Sequence, residues 1–184
     1  MALSPTDLHR LRLQQLAVYV RDSRAHLEPA RDNPRDGTEE PPIASTAAHA
    51  ATWRAFRKIS YSTGQLVTVA EIQATRLPAD VLPASWADVC AGLRDAARRL
   101  EELQAQWLVD REEILARDTD TRAECEAVLQ RRNHAAWPYL SLWSRNAETI
   151  LQLDVLARGL TTPLARIPGL PPLPSRRAAP PNRP

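Results

Sequence analysis

Three stretches of the chain open with a hydroxyl residue followed three positions later by an acid, and each then runs into an apolar stripe. They are Ser4-Pro5-Thr6-Asp7, Ser85-Trp86-Ala87-Asp88 and Thr121-Arg122-Ala123-Glu124. A hydroxyl can accept from the backbone N–H groups a helix leaves unpaired at its start, and the acid meets the positive end of the helix dipole. With a fourth helical stretch between the first two, the pattern predicts an all-α antiparallel four-helix bundle with long coiled-coil-like helices. Five glycines in 184 residues leave few residues for the tight turns of a β-fold. Gln65-Leu-Val-Thr-Val69 is the one stretch with strand character.

The first helix is expected from about Pro5 to Leu27, with Leu13, Leu16, Val20, Ser23 and Leu27 on one face. Pro5 suits a first helical position, where a missing N–H removes no bond. An acidic, proline-rich loop of about 28–44 follows, carrying Pro29, Pro34, Gly37, Pro41 and Pro42. The second helix, roughly Ser45 to Leu77, has the stripe Ala48, Thr52, Ala55, Ile59, Ser62, Leu66 and Val69. Its weak stretch Ser60-Tyr-Ser-Thr-Gly64 predicts a kink or break near Gly64. Pro78 and Pro83 bound a short link to the third helix, which makes the two antiparallel neighbours.

The third helix is the most regular. Trp86, Val89, Leu93, Ala96, Leu100, Leu103, Trp107 and Ile114 recur at spacings of three and four, broken by Asp110. About 30 residues at 1.5 Å each make a rod of about 45 Å, and such a stripe suits coiled-coil packing. Residues 118–121, Asp-Thr-Asp-Thr, allow a tight hairpin or one continuous helix of about 70 residues. The fourth helix runs from about Arg122 to Arg158, with Val128, Leu129, Ala136, Leu140, Trp143, Ala147 and Ile150 on its apolar face. Pro138 should kink it, and Gly159 suits the position just past its end. Residues 1–159 thus form the bundle. In 160–184, eight prolines, four arginines and no acid predict a disordered, polyproline-like tail.

Charge is nearly balanced at +2, and of 24 basic residues Lys58 is the one lysine. Arginine usage that lopsided follows GC-rich coding, so it does not indicate nucleic-acid binding. Two cysteines make no disulfide framework and are expected as buried thiols. The amino terminus has no basic stretch leading into an apolar run, and no run reaches the roughly 18–20 apolar residues of a membrane span. A cytoplasmic protein with no membrane partner is the expectation.

Catalytic and cofactor motifs are missing from the sequence. Glu-x-x-His, the hallmark of di-metal bundles, does not occur, and Asp22 with His26 lacks further ligands. No catalytic residue, metal ligand or cofactor is therefore assigned. Of five tryptophans, Trp86, Trp107 and Trp143 fall on apolar stripes and should be core. Trp53 and Trp137 fall less clearly, and either one, if exposed, would mark a protein interface. Pro171, Pro174 and Arg176 fit the Pro-x-x-Pro-x-Arg spacing that docks on aromatic grooves. Arg131, Arg132, Arg176 and Arg177 are the candidate contacts to nucleic acid.

The expectation is a non-enzymatic bundle acting by protein–protein contact or self-association. A nucleic-acid accessory protein of a mobile element or chromosome is the alternative. A small-ligand or metal-binding bundle is a third.

Overall fold

A computed structural model describes residues 3–27, 43–117 and 121–161, and all its regular structure is helical. Six α-helices follow in order: α1 (Pro5–Leu27), α2 (Ile43–Arg57), α3 (Thr63–Ala74), α4 (Trp86–Leu115), α5 (Arg122–Asn146) and α6 (Glu148–Thr161). A 3-10 turn, Ser60–Ser62, separates α2 from α3. The all-α expectation holds, and Gln65-Leu-Val-Thr-Val69 lies inside α3 rather than in a strand. Residues 43–44 of the expected loop belong to α2 and 160–161 of the expected tail to α6, while 28–42 and 162–184 lie outside the described residues.

The helices start where the hydroxyl–acid pattern placed them, but one of the three caps forms. The Asp7 backbone N–H donates to Ser4 Oγ at 3.1 Å, and Ser4 Oγ donates to Asp7 Oδ2 at 2.7 Å. Ser85 and Thr121 make no such bond. Ser85 has φ 56° and ψ 21°, a left-handed conformation, whereas a capping side chain needs extended backbone. It closes the turn in which the Trp86 N–H reaches Pro83 O.

Two expected helices are broken, the second within the weak stretch Ser60–Gly64 and the fourth at Ala147, which the sequence did not mark. The second helix gives way over 58–62, before Gly64, which sits in the first turn of α3. The cause is the run of hydroxyls. Ser60, Ser62 and Thr63 each donate a side-chain bond to the carbonyl three residues back, at 3.1, 2.9 and 2.9 Å. Those bonds compete with α-helical pairing, and the backbone tightens into three-residue turns at Lys58, Ile59 and Ser62. The fourth helix is continuous through Pro138 and ends at Ala147, between α5 and α6. Gly159 does not end it, since α6 extends to Thr161.

The core gathers Leu16, Tyr19, Phe56, Ile59, Leu66, Leu93, Leu100, Leu140, Trp143 and Leu153. Trp143 is fully enclosed. Its indole N–H donates to Leu93 O at 3.0 Å, so burial leaves no orphan donor, and its ring meets Phe56 at 66° and 5.6 Å. Tyr19 packs edge-on to Phe56, with its hydroxyl 3.1 Å from Ser144 Oγ. Burial holds the Tyr19 phenol far above its ordinary pKa, so it stays neutral. A buried polar cluster ties three helices together. Asp154 of α6 accepts from Gln73 of α3 at 3.0 Å, faces His9 of α1 at 3.5 Å, and pairs with Arg158.

Helices α4 and α5 run antiparallel. Leu93 meets Trp143, Gln104 meets Arg132, and Arg117 meets Glu124. They form a hairpin, not one continuous helix. Core residues on α4 end at Leu100 and on α5 begin at Ala136. Beyond them, Ile114 and Val128 are the buried apolar residues, and the positions off the shared seam are exposed. The hairpin therefore projects from the body as a two-helix arm, about 12–15 Å past Trp107.

Candidate interaction surface

Where the arm leaves the body, one arginine is held between two indoles. Arg132 of α5 has its guanidinium carbon 4.4 Å from the Trp53 ring centre and 4.7 Å from that of Trp107. Trp53 comes from α2 and Trp107 from α4, so the stack joins three helices. Stacking suits the flat, weakly hydrated guanidinium. Arg132 Nη1 donates to Gln104 Oε1 at 2.9 Å and Nη2 to Asn133 Oδ1 at 2.7 Å. Arg132 is 8% exposed and Trp53 4%. Burial, with Arg57 adding repulsion, pulls the Arg132 pKa down to about 10, which leaves it charged at neutral pH.

This geometry reassigns several residues singled out in the sequence. Trp53 is a core residue and not an exposed interface residue. Arg132 is enclosed and cannot pair with Arg131, which is exposed on the arm, to form a basic patch. Adjacent helical residues point about 100° apart, which is how neighbours in sequence come to face protein and solvent. Trp137 is half-buried and stacks on His49 at 4.2 Å, with His134 also close to His49 at 6.3 Å. Burial and His134 both hold the His49 pKa below the ordinary histidine range. Trp143 is core as expected, while Trp86 and Trp107 are half-buried. Pro171, Pro174, Arg176 and Arg177 lie outside the described residues.

The two faces of the arm differ. One carries an open groove of about 580 Å³ between Trp107, Arg111 and Leu115 on α4 and Arg122, Cys125, Glu126 and Leu129 on α5. Leu115 there is 52% exposed. The other face presents Asp110, Glu113, Arg117, Glu124 and Arg131, and pairs Arg117 with Glu124 at 3.2 Å within the arm. Nothing in the sequence marked the groove, because Trp107 and Leu129 read as core stripe and Leu115 falls on no stripe. The signal was present: a seam that outruns the helices able to cover it.

For chemistry the surface offers little. Among the described residues, no group of three or more His, Cys, Asp or Glu side chains is placed to hold a metal ion. Cys90 is buried, and burial with nearby Glu71 raises its thiol pKa, which keeps it protonated and unreactive. No described helix is long and apolar enough to cross a membrane. Comparison with protein-family models, curated proteins and solved structures returned no match for the chain.

Proposed function

We propose that this chain is a non-enzymatic helical protein that works by protein–protein contact, with the α4–α5 arm as the contacting element. The exposed apolar groove on the arm carries the proposal. Trp107 and Leu115 on α4, and Cys125 and Leu129 on α5, stand at helical spacings of eight and four along the groove, and none of the four is fully buried among the described residues. Apolar residues at that spacing stabilise a fold only when another surface removes them from water, and aromatic residues ringed by charge are the usual anchors of such contacts. The arm would act as a short coiled-coil element, and two free cysteines fit a reducing, cytoplasmic setting.

Capture of the full chain from its own cells tests this, with Leu115→Asp as the comparison. A specific partner, or a second copy, recovered with the native chain and lost with Leu115→Asp supports contact through the arm. Identical recovery with both chains refutes it. The nucleic-acid alternative would rest on Arg131 with Arg176 and Arg177, since Arg132 is enclosed. It requires binding that weakens steeply with salt, by about one unit of logarithmic slope per phosphate contact.

A further inference from the structure

Resting on the contact surface proposed above, we infer that the occupant of the arm groove is the same groove of a second copy of this chain. The argument is charge placement. Arg111 stands on the α4 wall of the groove and Glu126 on the α5 wall. Arg111 lies over the Trp107 ring at 5.8 Å and has no carboxylate partner among the described residues. Glu126 accepts a bond from Gln130 at 3.0 Å and has no cation partner among them. Among the described residues, the groove thus carries Arg111 and Glu126, neither of them ion-paired, on opposite sides of an apolar floor, while Arg122, the third charge on its lining, is already engaged. A two-fold axis requires that surface, because residue i of one copy meets residue j of the other and j meets i. Arg111 then faces the partner's Glu126, and Glu126 faces the partner's Arg111. An unrelated partner would need its own matching pair, whereas a second copy supplies it by symmetry.

The opposite face of the arm also carries charges of both signs, but its apolar residues Ile114 and Val128 are already buried within one chain, so it offers no exposed apolar floor for a second copy to cover. Two hairpins laid groove to groove build a four-helix bundle. The apolar floor of each groove is then covered by the other copy.

Sedimentation equilibrium of the full chain over a concentration series reads the result directly. The expected mass is twice the 20.5 kDa of one chain. Arg111→Glu and Glu126→Arg each set like charges against each other at two symmetric places, and each should weaken association at least about tenfold. The double variant, with the charges exchanged, should restore it. Leu115→Asp should give a monomer with unchanged helical circular dichroism, since that side chain is half exposed in one chain.

A monomer at every concentration overturns the inference. So does a dimer indifferent to Leu115→Asp, or a double variant no tighter than the single ones. The capture experiment separates this failure from that of the contact surface itself. A monomeric chain that still holds another protein through Leu115 loses only the second-copy inference. A monomer with no Leu115-dependent partner loses both.

Discussion

Arg132 is a buried charge with no carboxylate partner among the described residues. Neutral acceptors and two ring faces offset it, and the arrangement depends on guanidinium shape as much as on charge. Arg132→Lys keeps the charge but loses the flat stack and the two-pronged donation to Gln104 and Asn133. It should cost about 2 kcal/mol of unfolding free energy in a urea titration. A change within about 0.5 kcal/mol would mean that the stack contributes nothing specific. Ser85 holds the opposite kind of tension, in its backbone. With φ at 56°, Ser85→Gly should raise stability by about 1 kcal/mol, read as a higher denaturation midpoint. His49 gives the pH response. Its folded pKa lies below its unfolded value, so on acidification the unfolded chain takes up the proton first. The contribution of His49 is intact above about pH 6.5 and declines as pH falls below it. His134→Gln removes one of the two causes and should make that part of the stability–pH curve shallower.

At the scale of the element, apolar spacing located helices well and located their ends poorly. Helix starts were legible because a hydroxyl, an acid and a first apolar residue stand at fixed offsets. Whether the hydroxyl then bonds the backbone depends on its φ and ψ, which the preceding turn decides; Ser85 shows this. The break after Arg57 falls in the stretch that reads as weak helix, Ser60–Gly64, a few residues ahead of its glycine. The hydroxyls of Ser60, Ser62 and Thr63 did the breaking, because they can bond backward as readily as the backbone can. Trp53 escaped assignment because a single stripe was read for α2. That helix buries Thr52, Trp53, Ala55 and Phe56 together, a wider face than one stripe supplies. Where the spacing was strict, it succeeded. Leu100 is buried at the last core turn of α4, and Leu100→Ala should cost about 2–5 kcal/mol in the same titration.

At the scale of the molecule, the body and the arm have different reasons to stay folded. The body packs six helices and contains the Asp154 cluster, which joins α1, α3 and α6. The arm has one seam, with Ile114 and Val128 as its buried apolar contacts. Local opening follows local burial, so amides of 108–115 and 122–131 should exchange with solvent hydrogen faster than those of 93–100 and 136–144. Equal protection throughout the isolated chain would mean that the arm is covered, as it would be in the two-copy assembly. The antiparallel register of α4 and α5 has one more consequence. Leu93 opposite Trp143 and Gln104 opposite Arg132 mean that a segment removed from one helix has an equal counterpart across the seam. Matched deletions or insertions of seven residues, one in each helix, preserve both the seam and the body. Arm length is thus a dimension in which such a chain can diverge between lineages while its core sequence stays put.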